Sequence, residues 1–376
     1  MKILKRDAFL YLFMLASVLS YYFYRIIFFN AGGDLMLRVS EARYFMEGIN
    51  PFYVYIGEVE KIDRLGQPNA YSFISYILMI PFTYLENNLL IKILYSIIDV
   101  LMLSASMLMI SKICDKKFDL RVFSLIGIIL LMSVFFWQHV WTLNYNIFVL
   151  FFVTLYFYGE KIDSKTLSIL SLVLVGIKPS IAIPLLLYAI VCRKRSVFLT
   201  SSLIYIALLL ISSLVMSTNP LLIPVQILET QKAFSSGGTD GILLILKPFI
   251  ANYMPVLSLV LVFTIIFIMR KKIKDNIVLA CSLVITLGLS LFYNNVHAWI
   301  IAIPMLCFVL INRDFKLFIF AGIPLILFLL VPRLAGIVND QYRDTYFALH
   351  NIARFGILYL SLFFLYTIKP SINERI

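Results

Sequence analysis

The chain has 376 residues, of which 62% are apolar, 15% aromatic and only 14% charged. Its mean hydropathy of +0.96 exceeds what the core of a soluble domain of this length requires. A net charge of +12 would suggest nucleic-acid binding in a soluble protein, but here Lys and Arg lie in short tracts between apolar runs. This pattern is typical of membrane topology, and we expect no nucleic-acid partner.

Apolar runs long enough to cross a bilayer as helices recur along the chain. The first, at about 8–29, follows a basic N-terminus and is expected to remain as a signal anchor. Two shorter pieces, 166–177 and 179–192, meet at Lys178-Pro179. The other predicted spans lie at about 89–111, 122–138, 143–158, 197–215, 253–269, 276–293, 298–311, 315–331 and 351–368. The chain is therefore predicted to be one all-α polytopic transmembrane helix bundle over residues 1–376, with about 10–12 spans.

The basic tracts predict which side each loop occupies. If 30–88 is one long extracytoplasmic loop, every later basic tract falls inside and both termini are cytoplasmic. This requires the apolar piece 71–84 to lie on the membrane or re-enter it, and the two pieces around Lys178 to form a hairpin or a broken element with both ends internal. Short loops and no retention signal favour a bacterial plasma membrane.

The first loop delivers a carboxylate to the predicted interface. Gly32 and Gly33 permit a sharp turn, and Asp34 follows them directly. Asp34 is a candidate general base, and it is also a good N-cap for the helix that follows. From Asp34 to Glu47 the sequence predicts an interfacial amphipathic helix that ends at Gly48. Its apolar face is Leu35, Val39, Ala42 and Phe45 or Met46, with Arg38, Glu41 and Arg43 elsewhere.

Two ionisable residues are predicted at membrane depth, where their desolvation cost suggests a function. For Asp99, we expect mainly a structural hydrogen bond to a neighbouring helix. Lys178 precedes Pro179 at a helix break, where a fixed cation beside freed N–H groups suits a phosphate. The alternative for Lys178 is a side chain that reaches to the interface.

All three histidines, His139, His297 and His350, fall on the predicted extracytoplasmic face. The simpler interpretation, which we favour for each, is an interfacial residue that caps a helix or bonds a carbonyl. The four cysteines have neither metal-ligand spacing nor a pairing pattern, so they receive no role.

Several motifs, in order, resemble those of the GT-C glycosyltransferases, in particular glycosyltransferase family 87 and the mannosyltransferase that adds the first mannose of GPI anchors. Each motif alone is loose, and the specificity comes from their order. They are Gly33-Asp34, Ser40–Phe45, Glu47–Phe52, Tyr71–Pro81, Leu89–Met109 with Asp99, Asn144–Asn146, Gly176–Pro179 and Asn294–Trp299.

The resemblance implies an inverting hexosyltransferase that moves a sugar, mannose or another hexose, from a polyprenyl-phosphate donor to a lipid or glycan acceptor outside the cytoplasm. It implies Asp34 as general base, and residues 30–88 as the mouth of the active site. The implied substrate-binding residues are Lys178, His297, Arg38, Arg43, Glu41, Asn146 and Trp299. A single Asp replaces any D-x-D, which implies a mechanism without metal or other cofactor.

Two alternative functions remain open at this point. A lipid or solute transporter or flippase would carry inverted repeats and several intramembrane charges, and this sequence shows no obvious repeat. An O-antigen polymerase or ligase would concentrate polar residues in a late external loop, and 332–350, with Arg333, Arg343 and His350, keeps that possibility.

Overall fold

In the computed structural model, the described residues are 2–56, 71–117, 119–192, 194–227, 229, 254–292, 300–312, 314–330, 356–364 and 366. Within these ranges the chain is helical and contains no strand. The predicted all-α class is confirmed.

The helices that position the site and the core are numbered in chain order. They are α1 Lys2–Phe29, α2 Gly33–Met46, α3 Pro51–Ile56, α4 Ile74–Thr83, α5 Asn88–Ile113, α6 Leu120–Met132, α7 Val134–Thr142, α8 Asn146–Lys161, α9 Lys165–Val175, α10 Pro179–Val191, α11 Arg195–Val215, α12 Met254–Asp275, α13 Ile277–Leu291, α14 Ile303–Asn312, α15 Phe315–Leu317 and α16 Ile323–Leu330, with a π-helical segment, Phe318–Gly322, between the last two.

Three described helices are long and apolar enough to cross a membrane: Asp7–Phe29, Asn88–Ile113 and Arg195–Val215. A fourth candidate is the pair α6 and α7, if the two helices form one bent span. Other apolar helices, such as α9, α10 and α13, are shorter. Membrane integration is therefore supported, and the total of about 10–12 spans stays a prediction.

The run at 122–138, predicted as a single span, is broken. Helix α6 ends at Met132, Ser133 is extended with ψ 130°, and α7 leaves at an angle of 73°. The Trp137 indole N–H donates to the Leu131 carbonyl at 2.7 Å and so satisfies a group that the break frees.

Ion pairs connect helix ends at one end of the bundle, here called the Asp7 end. They join tracts that the sequence places on one side of the membrane. The pairs are Arg121–Asp7 at 3.0 Å, Lys161–Asp115 at 2.5 Å and Lys194–Glu160 at 2.7 Å. The opposite end carries Asp34 and is called the Asp34 end.

Helices α9 and α10 form the predicted hairpin. Lys194, just after α10, pairs with Glu160 at the end of α8, whereas Lys178 at the tip of the hairpin contacts Asn146 at the start of α8. Both ends of the hairpin therefore lie at the Asp7 end, and its tip lies at the Asp34 end. Pro179 begins α10 and fixes the position of the break.

Helices α1 and α6 approach closely at a glycine. A Cβ built on Gly127 would lie 2.0 Å from the Met14 sulfur and 2.4 Å from Met14 Cγ. Small residues at such contacts let membrane helices pack through their backbones.

We expect Gly127→Val to lower the free energy of unfolding by about 1–3 kcal/mol, because the added side chain overlaps Met14. Thermal unfolding of the purified protein in detergent would measure this loss. Gly356→Ala is the matched control, since nothing lies within 4 Å of a Cβ built there. Met14→Ala should recover part of the loss in the Gly127→Val background; no recovery would contradict the proposed overlap.

Candidate active site

A tight turn after α1 delivers Asp34. Asn30 and Gly32 have φ of 50° and 95°, which places both in the left-handed region. The Gly32 N–H donates to the Trp141 carbonyl at 2.8 Å, and a Cβ on Gly32 would lie 2.8 Å from Leu143 Cδ1. Only glycine fits at position 32, so close to the end of α7. The turn that leads into α2 therefore depends on this residue.

Asp34 lies in the first turn of α2, but it is not the N-cap. That position belongs to Gly32, which makes no side-chain cap, so the N-cap alternative is wrong. The Asp34 side chain is half-buried, and it has no hydrogen bond to any residue that the structure describes. Burial raises the pKa of Asp34 above its usual value, and the nearby Arg38 guanidinium only partly offsets this. A carboxylate in this state suits proton abstraction.

The prediction of a simple amphipathic α2 is wrong for two of its charged residues. Arg38 and Glu41 are 4% and 1% exposed, and they form a buried ion pair. They are covered because α4 packs against α2 and the Tyr71 ring lies 5.6 Å from the Arg38 guanidinium carbon. The pair leaves two buried atoms, Arg38 Nε and Glu41 Oε2, without a described hydrogen-bond partner.

The charges around this pair shift its titration. Burial raises the pKa of Glu41 to about 7, although the Arg38 guanidinium pulls in the opposite direction. Burial alone would lower the pKa of Arg38, but the carboxylates of Glu41 and Asp34 raise it above its usual value. Arg38 therefore stays charged, while Glu41 can carry a proton near neutral pH.

Arg43 is directed away from the pair. Its guanidinium donates to the Leu85 carbonyl at 3.1 Å and ties α2 to the turn before α5. This contact holds the helix in place, and a direct role of Arg43 in substrate binding stays a prediction.

Two tyrosines connect α2 to the start of α8. Tyr71 and Tyr145 meet edge to face with ring centroids 4.9 Å apart, and the Tyr145 hydroxyl donates to the Ser75 carbonyl at 3.1 Å. Tyr145 directly precedes Asn146, so the rings link the Arg38–Glu41 pair to the tip of the hairpin.

Lys178 and Asn146, both predicted as substrate ligands, lie in contact. The Lys178 ammonium donates to Asn146 Oδ1 at 2.8 Å, and Lys178 is 7% exposed. Within the described part of the chain, Asn146 is the sole hydrogen-bond partner of this ammonium, and no described carboxylate pairs with it. The Ser72 N–H also donates to the Ile177 carbonyl at 3.0 Å, which brings the first loop to the hairpin tip.

Asp99 fulfils the predicted structural role. Its Oδ2 accepts from the Tyr22 hydroxyl at 3.3 Å and lies 2.9 Å from His139 Nε2, so it joins α1, α5 and α7. His139 is fully buried, and its ring nitrogens meet the side chains of Asp99 and Asn144 rather than a helix end or a backbone carbonyl. Its partners, Asp99 and Asn144, come from the packed bundle.

Two predicted site residues, His297 and Trp299, lie outside the described residues, as do His350, Arg333 and Arg343. Their roles stay predictions.

Sequence reasoning missed Lys92. Its ammonium donates to Asn30 Oδ1 at 2.7 Å, and the side chain packs near Gly32, so it supports the turn before Asp34. The signal was a lone Lys within the apolar run 89–111. Asn50 was also missed; it donates to Gln226 Oε1 at 2.9 Å and joins the first loop to the segment after α11.

In the described ranges, no group of three or more His, Cys, Asp or Glu side chains lies close enough together to hold a metal ion. The expected metal-free mechanism stays a prediction.

We expect the stability of the protein to fall as pH rises from about 4.5 to about 7, because folded Glu41 holds its proton more tightly than unfolded Glu41. The effect is at most about 3 kcal/mol. Glu41→Gln should flatten this part of the curve of melting temperature against pH. Glu86→Gln, which changes an exposed carboxylate at the same end, should leave it unaltered. An unchanged slope in Glu41→Gln would contradict the raised pKa.

Comparison with known proteins places the chain in a family. Residues 69–289 match the model of glycosyltransferase family 87, and this range includes Asp99, His139, Asn146 and Lys178. Searches of curated proteins and of solved structures give no match. Since the matched range covers more than half of a chain that carries membrane helices, the protein belongs to glycosyltransferase family 87 and is a membrane glycosyltransferase.

Proposed function

We propose that the protein transfers a hexose, mannose or a related sugar, from a polyprenyl-phosphate donor to a lipid or glycan acceptor, with inversion at the anomeric carbon. The reaction takes place at the Asp34 end, which faces away from the cytoplasm of a bacterial plasma membrane, and both termini lie in the cytoplasm. Residues 30–88 form the mouth of the site, and the chain acts as a single membrane domain.

The uncompensated Lys178 ammonium carries this proposal. An ammonium has three donors, and among the described residues Lys178 uses one, on a neutral amide oxygen. A buried cation with no carboxylate beside it is costly, and an anionic ligand removes that cost. The phosphate of a lipid-linked sugar supplies such an anion, and it is the leaving group whose charge grows during transfer.

Asp34 meets the second requirement of the reaction, which is a base for the acceptor. The acceptor hydroxyl must lose a proton as it attacks, and a half-buried carboxylate with a raised pKa is a suitable base. Its position in the first turn of an interfacial helix lets an acceptor reach it from the membrane surface.

We assign the remaining predicted residues to contacts with the substrates between base and phosphate. Among the described residues, Arg38 Nε and Glu41 Oε2 are buried without a hydrogen-bond partner, which suits hydrogen bonds to sugar hydroxyls. Asn146 holds Lys178 in place. His297 and Trp299, with Arg43, complete the proposed set as further contacts to phosphate and sugar.

The family assignment decides against a transporter or flippase as the primary function, because it supports an enzyme. A polymerase or ligase also uses lipid-linked sugars, so the identity of the acceptor distinguishes it from the proposed transferase.

The first test is transfer itself. Purified protein is incubated with radiolabelled polyprenyl-phosphate mannose, glucose or arabinose and a panel of lipid and glycan acceptors. Labelled product with one donor and a discrete acceptor supports the proposal; product from no donor would count against it.

We expect Asp34→Asn to lower transfer at least about 100-fold at unchanged protein level, because the base is lost. In the wild type, activity should fall as pH drops through the raised pKa of Asp34, so its acid limb lies at higher pH than for an ordinary aspartate. Asp115→Asn, an exposed carboxylate at the Asp7 end, is the control and should keep full activity. Full transfer by Asp34→Asn would show that Asp34 is not the base.

We expect Lys178→Met to raise the KM for the donor about tenfold or more and to lower kcat, because the phosphate loses its cation in both the ground and transition states. Steady-state kinetics at varied donor concentration would measure this. Lys161→Met, which removes a cation at the Asp7 end, should change neither constant. Unaltered kinetics in Lys178→Met would show that another group binds the phosphate.

A further inference from the structure

A continuous chain of buried hydrogen bonds runs from the core of the bundle to Lys178. Asp99 Oδ2 lies 2.9 Å from His139 Nε2, and His139 Nδ1 lies 3.2 Å from Asn144 Oδ1. Asn146 Nδ2 lies 2.5 Å from that same oxygen, and Asn146 Oδ1 accepts from Lys178 at 2.8 Å. The first four residues are at most 1% exposed.

The direction of each bond follows from donors that have no alternative. The backbone N–H of Asn146 donates to Asn144 Oδ1 at 3.1 Å, so this atom must be an acceptor. The Thr142 hydroxyl, which accepts from Asn144 Nδ2 at 2.8 Å, fixes the same orientation. Hence the Asn146 side chain turns its NH₂ group toward Asn144 and its oxygen toward Lys178.

The same logic fixes which ring nitrogen of His139 donates to Asn144. Because Asn144 Oδ1 is an acceptor, His139 Nδ1 must carry a hydrogen. His139 Nε2 then faces Asp99, and the pair must hold one further proton between them, since two lone pairs would otherwise oppose each other. Asp99, supported by the Tyr22 hydroxyl at 3.3 Å, thus keeps both ring nitrogens of His139 in donor or proton-sharing roles.

We infer that Asp99 and His139 are positioning residues for the phosphate site: through Asn144 and Asn146 they fix the direction in which the Lys178 ammonium faces. This inference rests on the proposed role of Lys178 as the phosphate ligand. It adds Asp99, His139 and Asn144 to the machinery, and none of these three contacts the reacting atoms.

This chain of hydrogen bonds extends further than a purely structural role requires. A helix-to-helix link needs the Asp99–Tyr22 and Asp99–His139 contacts, which already join α1, α5 and α7. The continuation through two asparagines ends on a buried cation at a different break, between α9 and α10. Because each link fixes the orientation of the next, loss of one link frees Lys178 to turn.

The test measures binding of farnesyl monophosphate to the purified full-length protein, with farnesol as the uncharged control. Gln at position 139 can still reach Asp99, but it has no donor at the Nδ1 position, whereas Asn keeps a donor there. We expect His139→Gln to weaken farnesyl monophosphate binding about tenfold and to leave farnesol binding unchanged. His139→Asn keeps the donor toward Asn144 but loses the contact with Asp99, so it should weaken binding less than His139→Gln does, by about threefold.

Further variants make the result decisive. Asn144→Ala breaks the same link and should match His139→Gln, so it carries the test if the histidine variant is unstable. In a Lys178→Met background, His139→Gln should not weaken farnesyl monophosphate binding further, because the hydrogen-bond chain acts only through Lys178. Tyr359→Phe, which removes the bond between Tyr359 and Ser290 at 2.9 Å, is the control for loss of a hydrogen bond elsewhere in the bundle.

The outcomes separate the two proposals. If Lys178→Met weakens binding but His139→Gln and Asn144→Ala do not, the inference fails and the phosphate role of Lys178 stands. Losses that multiply in the double variant would also overturn the inference, since they would show an independent effect. If Lys178→Met does not weaken binding, both the phosphate role and the inference fail.

Discussion

A buried ammonium at a helix break constrains much of this structure. Lys178 lies where Pro179 interrupts the backbone ladder, and its described partner is a neutral amide oxygen. In an apolar bundle such a charge is stable only if dipoles or an anion surround it. The hairpin of α9 and α10 must therefore place its tip beside the start of α8, where Asn146 can meet it.

The carboxylates of the site are kept apart from this cation. Glu41 pairs with Arg38, and Asp34 interacts with the same guanidinium, so α2 carries both the negative charges and their compensation. Lys178 is thereby left available for a ligand. Under the proposed mechanism this separation is required, because inversion places the attacking hydroxyl and the leaving phosphate on opposite faces of the anomeric carbon.

Local signals in the sequence predicted local features well. The Gly32 turn, the extent of α2, the break at Lys178-Pro179 and the structural bond of Asp99 all agree with the structure. These features depend on glycine and proline conformations or on the high cost of a charge in an apolar run, which act at short range.

Features that depend on distant segments could not be predicted in this way. Arg38 and Glu41 fall on the polar side of α2 by periodicity, yet Tyr71 and α4, about 30 residues later, cover them. The contact of His139 with Asp99, which lies 40 positions earlier, could not be predicted from the local sequence. The break at Ser133 has no proline or glycine to reveal it, and the Trp137 bond that stabilises it forms only in the folded chain.

The extent of the family match divides the proposed machinery into two parts. Residues 69–289 contain the hairpin, Asn146, Lys178 and the chain that leads back to Asp99, whereas α2 with Asp34 precedes the match. In the proposed reaction the matched part meets the lipid phosphate, and α2 meets the acceptor. Tyr71 and Tyr145 join the two parts, since one ring covers Arg38 and the other precedes Asn146. A different acceptor would therefore require changes in α2 and the first loop, whereas the phosphate site would need none.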